Sequence, residues 1–260
     1  MNKLRIKNTI KYAIYPLISL LLVLILWYIV ALGVGAEFIL PTPRQTARTF
    51  ISLLTDPSHE FYSGLAVTVL HAVVSFLIAF VGALAFAVLA KLYRIFAALF
   101  YPIVVIMRVA PTMSVIFLSI IWIASDKAPY LVGVLILFPM LYSSFYSGLM
   151  NIDENLVKMA DAYGVKTKDK IFGLYLPCVA ENVYSDSVSS LSFAVKLAVS
   201  GEAISLGGVS IGFLMQASKA YLDTSKLIAY TISAIIAGFL LELMVRAVAF
   251  VIKKVYYAKA

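Results

Sequence analysis

Stretches of about twenty apolar residues recur along this chain, and that repetition limits the fold more than any motif does. Roughly 20 helical residues cross the ~30 Å hydrocarbon layer of a bilayer. Ala13 to Leu32, Leu65 to Ala90, Tyr130 to Met150 and Leu227 to Ile252 each reach that length with few polar interruptions. Phe96 to Ala124 is too long for one straight span and contains Pro102, Arg108 and Pro111, so it reads as a broken, partly interfacial helix leading into a span. Val183 to Ser200 is richer in serine and carries Asp186 and Lys196. The expectation is an all-α integral membrane protein with about six transmembrane helices, at 13–32, 65–90, 104–124, 130–150, 183–200 and 227–252. These form one transmembrane domain over 13–252, with cytoplasmic tails at 1–12 and 253–260.

Composition excludes a water-facing fold. Of 260 residues, 63% are hydrophobic and 13% charged, with a mean hydropathy of +0.99; an average soluble chain has about 45–50% and about 25%. Sixteen Phe, sixteen Tyr and two Trp suit helix ends at bilayer interfaces. The first apolar run is too long for a cleavable signal and is expected to stay as a membrane helix. The net charge of +8 does not point to nucleic acid, because the basic residues are scattered between apolar runs and form no single stripe. They sort by side instead. With the N-terminus inside, thirteen Lys and Arg fall in inner connections (Lys3, Arg5, Lys7 and Lys11 first, Lys253, Lys254 and Lys259 last) and five in outer ones. That bias places both termini in the cytoplasm and requires an even number of spans.

Catalytic and metal chemistry find no purchase in the sequence. Cys178 is the single cysteine, and His59 and His71 lie twelve apart with no HExxH pattern, so no metal site is expected. Both histidines read as interfacial or packed. No GxxxxGK[ST] phosphate loop occurs, so no nucleotide site is expected on this chain.

The connection 151–182 is the most informative segment. Asp153 suits a helix cap, and Glu154 suits a first turn, where the dipole favours an anion. Leu156, Ala160 and Tyr163 recur at helical spacing as one apolar stripe, and Gly164 fits the left-handed position that ends a helix. Lys166, Lys168 and Lys170 follow, then a second helical piece with Ile171, Leu174 and Tyr175, after which Leu176-Pro177 is expected to begin the next helix. An amphipathic helix this short, held between spans, is better suited to a groove in another protein than to lying along lipid.

The run Lys158-Met159-Ala160, three residues, Gly164, nine residues, Leu174-Tyr175-Leu176-Pro177 resembles the EAA motif of binding-protein-dependent ABC importer permeases. That motif reads Glu-Ala-Ala, three residues, Gly, nine residues, Ile-x-Leu-Pro. Lys158 and Met159 replace its Glu-Ala, with Asp161 and Glu154 as the nearby acids. Leu40-Pro41-Thr42-Pro43, Met107-Arg108-Val109-Ala110-Pro111, Phe138-Pro139 with Gly148-Leu149, and Ser200-Gly201-Glu202-Ala203 before Gly212-Phe213-Leu214 are similar, in order and spacing, to elements of the nitrate/sulfonate/taurine-type branch.

The resemblance implies a type I-like (MetI-like) permease fold in the bacterial cytoplasmic (inner) membrane, with a cytoplasmic coupling helix. It implies that Leu156, Lys158, Met159, Ala160, Asp161, Tyr163, Gly164, Leu174, Leu176 and Pro177 meet a separate ABC ATPase, present in two copies and binding ATP and Mg. It also implies a second permease copy, in a homodimer or a heterodimer, and an external solute-binding protein. The solute is expected to be nitrate, a sulfonate, taurine or a vitamin precursor. Among charges in the spans, Arg108, Lys196 and Glu202 are candidates for the translocation path, with Arg108 equally readable as a snorkelling residue. Glu242 and Arg246 read as an i,i+4 pair. Thr42 is expected to cap an outer amphipathic helix. The competing class is an ion-coupled secondary transporter, which more often shows internal duplication.

Overall fold

The computed structural model describes residues 2–55, 58 and 60–257, with side chains described from 15 to 249 apart from 181 and 182. Met1, His59 and the last three residues, including Lys259 of the expected C-terminal tail, lie outside the described residues. Every regular element among them is helical: α1 (Asn2–Val34), α2 (Pro43–Leu54), α3 (Glu60–Leu92), α4 (Arg94–Val109), α5 (Thr112–Trp122), α6 (Ala128–Met150), α7 (Glu154–Ala162), α8 (Thr167–Lys170), α9 (Leu176–Ser205), α10 (Ile211–Ala220) and α11 (Thr224–Tyr257). A π turn, Ile171–Tyr175, joins α8 to α9.

Four described helical stretches are long and apolar enough to cross a bilayer: Tyr15–Val34, Glu60–Leu92, Ala128–Met150 and Thr224–Ala249. α4 and α5 make a fifth if counted as one span broken by a 102° bend. Ala110 and Pro111 form the break. Pro111 has no N–H to continue the ladder and biases Ala110 to extended backbone, ψ 128°. α9, expected to hold the span 183–200, has 30 residues, but its serines, Asp186 and Lys196 keep it out of that apolar set. α1 begins at Asn2, inside the stretch expected as a tail.

The chain forms two compact units, Met1–Phe61 with Met215–Ile232, and Tyr62–Leu214 with Ser233–Ala260. In the first, α1 is apolar on all sides from Tyr15 to Val34, and Leu17, Leu20, Leu21 and Leu26 are exposed, as a lipid-facing helix requires. Trp27 Nε1 donates to the Pro41 carbonyl at 3.0 Å, tying α1 to the proline-bent link. Thr42 then caps α2 as expected: its hydroxyl accepts from Gln45 N while the Gln45 side chain accepts from Thr42 N at 2.7 Å, a reciprocal capping box.

The second unit holds the main core. On α3, Ala72, Phe76, Ala79, Ala83, Ala87 and Ala90 recur every three or four residues, all buried. Small side chains on one stripe let neighbouring backbones approach closely, the usual device where lipid supplies no hydrophobic drive. Leu137, Leu141, Phe145 and Leu149 of α6 and Leu191, Ala194, Val195 and Ala198 of α9 complete this core. Phe86, Phe96, Phe100, Phe138 and Tyr142 form a ring cluster joining α3, α4 and α6, with centroids 5.0–6.2 Å apart and many edge-on contacts, geometries that favour the ring quadrupoles.

Candidate functional site

α7 is defined by caps at both ends. Asp153 accepts from Asn155 N at 2.8 Å, and Glu154 occupies the first turn. At the other end Gly164 adopts φ 66°; its N–H reaches the Asp161 carbonyl and Val165 N–H reaches that of Ala160, each at 3.0 Å. This is a Schellman stop, and it explains why glycine sits at that position. Ile152 is buried, and Val157 rests against the core of the unit. The opposite face is open: Leu156, Met159 and Tyr163 are exposed, Tyr163 at 83%. The expected stripe of Leu156, Ala160 and Tyr163 is therefore displaced toward Met159, because Ala160 is half-buried.

The acids near the Glu-Ala substitution are engaged within the chain. Lys158 pairs with Glu154 at 3.2 Å one turn back, and Lys170 pairs with Asp161 across the Gly164 elbow. Leu176-Pro177 opens α9, with the proline in its first turn as expected, but the helix does not start from extended chain. The backbone at Tyr175 and Leu176 is already helical, so the chain is wound from Thr167 to Ser205 through the π turn. Pro177 cannot donate to the carbonyl four residues back, and widening the ladder by one residue just before it absorbs that lost bond. Tyr175 is buried, with Lys91 Nζ 5.9 Å from its ring centroid, while Leu174 is half-buried against the core.

Deeper in the same unit lies a buried polar cluster. Glu202 is 2% exposed. Its Oε2 accepts from Thr68 Oγ1 at 2.8 Å and Gly212 N at 3.0 Å, and its Oε1 lies 2.7 Å from His71 Nδ1. A carboxylate has no proton to give, so His71 meets it as an Nδ1–H donor. Thr68 Oγ1 also accepts the Ile211 N–H at 3.0 Å, and the His71 ring stands edge-on to Tyr130 at 4.5 Å. The cluster ties α3 and α9 to the first turn of α10, whose free amides favour an anion. Gly212 belongs to this arrangement, since a Cβ there would lie 2.6 Å from Glu202 Cβ.

Glu202, a candidate for the path by sequence, is here held by three partners within the chain and is 2% exposed. Thr68 and His71 were not singled out with it by sequence; the available signal was two polar residues three apart on one face of an apolar run. Asp186 accepts from Ser144 of α6. Glu242 pairs with Arg246 at 2.6 Å, as expected, and accepts from Ser192 at 3.2 Å. Arg108 is exposed in the last turn of α4, beside the break, and Lys196 is exposed on α9. No group of three or more metal-ligating side chains occurs among the described residues.

Residues 79–254 match the family described as "Binding-protein-dependent transport system inner membrane component". The chain belongs to this family. It is a permease component of a binding-protein-dependent ABC importer and an inner-membrane, multi-pass protein. Among its relatives, the putative aliphatic sulfonates transport permease protein SsuC of Bacillus subtilis (strain 168) is 24% identical over 227 residues, covering 86% of this chain and 81% of that protein. The protein described in the same words from Escherichia coli (strain K12) is 27% identical over 188 residues, covering 72% and 70%. Among solved structures, the inward-facing MetNI methionine ABC transporter in its CY5 native crystal form superposes with TM-score 0.56 at 20% identity, covering 72% of this permease and 95% of that chain. The SeMet soak form gives 0.55, with 73% and 96% covered. The MetI-like fold expected for this permease is the one observed.

Proposed function

We propose that this permease passes aliphatic sulfonates across the inner membrane, delivered by an external binding protein and driven by an ATPase that docks on α7. Similarity to two permeases described as aliphatic sulfonate transporters supports the substrate class. The observation that carries the docking is the exposed Leu156–Met159–Tyr163 face on a helix stopped at both ends and braced by Val157. A short rigid knob with an apolar tip suits a groove in a partner, where burial rewards the contact and the braced base transmits motion. Lys158 and Asp161, paired with Glu154 and Lys170, lie on the sides of the helix away from that tip, while Gly164, Leu174, Leu176 and Pro177 set the elbow behind it.

In this reading the ATPase is present in two copies and binds the ATP and Mg, a second permease copy completes the path, and both termini lie in the cytoplasm with six spans. The solute passes Arg108 and Lys196. Deleting Asn155–Gly164 is expected to leave the permease inserted while abolishing ATPase co-purification. Met159→Glu, which puts a charge on the apolar tip, should weaken that co-purification at unchanged expression. Undiminished recovery of the ATPase with both variants would remove the docking assignment.

A further inference from the structure

We propose that Lys196 is the specificity-determining cation of the translocation path, receiving the anionic head of the solute on a hydroxyl-lined face of α9. The inference rests on the sulfonate reading above and deepens it.

At 100° per residue, positions 185, 189, 192, 196, 200 and 203 fall within an arc of about 80°. They are Ser185, Ser189, Ser192, Lys196, Ser200 and Ala203; three are exposed, the other three half-buried, and none is a large apolar residue. Ser192 packs on α11, donating to the Gly238 carbonyl at 3.1 Å, so the open part of this face is the rest. The buried arc of the helix carries Val188, Leu191, Ala194, Val195 and Ala198. Lipid-facing surfaces in this chain look different: α11 exposes Ile235, Ile236, Phe239, Leu240, Leu243 and Met244. A hydroxyl-lined face with a lysine in its middle is suited to water and poorly suited to acyl chains.

Lys196 is also electrically uncompensated. Asp186, Glu202 and Glu242 each have partners within the unit, whereas among the described residues no carboxylate lies within ion-pair distance of Lys196. Its ammonium lies 5.9 Å from the ring centroid of its own neighbour, Phe193. Arg108 differs, because it sits in the last turn of α4, where the helix dipole already favours a cation. Lys196 lies nine residues before the end of α9, about 14 Å along the helix at 1.5 Å per residue, too far from that end for the helix dipole to hold its charge.

The serines do not compete for the anion. Ser189 and Ser200 donate to the carbonyls of Ser185 and Lys196 at 3.0 and 2.9 Å, so their remaining lone pairs hold water. Lys196 is then the one group of this face that attracts a sulfonate. An ammonium is a point charge without the fork of an arginine, and its grip on three equivalent oxygens is loose. A loose grip serves transit, where a site must release what it receives.

The experiment uses permease, ATPase and binding protein in proteoliposomes, with labelled ethanesulfonate as solute. In a background with Cys178→Ser, Lys196→Cys is treated with water-borne methanethiosulfonate reagents, which attack ionised thiols. The cysteine is expected to react, and uptake to fall about tenfold or more. An ethylammonium adduct, which restores the charge, should return uptake to within about threefold of the control, whereas a neutral methyl adduct should not. Lys196→Arg, which keeps the charge but grips more tightly, should retain more uptake than Lys196→Gln, which is expected to lose about tenfold. Stimulation of ATP hydrolysis by the binding protein should survive in all of them, separating a selectivity defect from failed assembly. A thiol that resists the reagents, or Lys196→Gln importing ethanesulfonate at the control rate, overturns the proposal. A control complex that assembles and hydrolyses ATP but imports no sulfonate instead overturns the substrate reading beneath it.

Discussion

Buried in an apolar unit, the Glu202 carboxylate meets three donors, Thr68, His71 and the Gly212 amide, and leaves none of them unpaired. Removing it strands the His71 and Gly212 donors, while the Thr68 hydroxyl can turn to the Gly64 carbonyl at 3.0 Å, so Glu202→Ala is expected to destabilise the permease by about 2–4 kcal/mol. Thermal unfolding of the purified protein in detergent is the check. Glu202→Gln should lose much less, because an amide oxygen still accepts from Thr68 and Gly212 while its NH2 serves a re-tautomerised His71. Equal losses from the two variants would show that shape, and not hydrogen bonding, sustains the cluster. The sequence marked Glu202 as unusual but not its role, since Thr68 and His71 lie more than a hundred residues away and their pairing is a product of packing. Local chemistry was readable. Thr42, Asp153 and Gly164 each do what their spacing predicts, because a cap depends only on the next few residues.

The element most open to test is α7 with its elbow. Gly164 sits at φ 66°, so Gly164→Ala should cost roughly 1 kcal/mol, enough to speed amide exchange in the last turn of α7 while leaving α9 protected. Hydrogen-exchange mass spectrometry would show whether the effect stays local. Pro177→Ala restores a donor to the helix and should let the π turn at Ile171–Tyr175 relax toward α geometry, seen as stronger protection there. The caps were legible in the sequence, and the continuity of this helix was not: a proline usually signals a start or a stop, and only packing around Tyr175 and Leu174 carries the helix through it. The displacement of the apolar face toward Met159 has a similar origin, because the sequence shows a stripe but not which edge of it the core claims.

For the molecule as a whole, the prediction is dependence on partners. Reconstituted alone under a proton or sodium gradient, the permease should import no ethanesulfonate; with the ATPase, binding protein and ATP it should. Gradient-driven uptake by the lone chain would favour a secondary transporter. The membrane character was plain from composition, and four long apolar helices from length, since lipid imposes both. α9 was the exception, and its polar serines and charges are what set it apart from the lipid-facing helices.

The fold at Ala110–Pro111 turns α4 against α5 by 102°. α5 has 11 residues and α4 has 16, roughly 16 and 24 Å at 1.5 Å per residue. Neither limb matches the ~30 Å oily interior by itself, and at that angle their lengths cannot add along one direction. Neither limb can therefore cross the bilayer alone, as α3 is long enough to do. A break of this kind lets two short limbs turn against each other where a straight span cannot, so straightening the corner should slow import even with every polar side chain left in place.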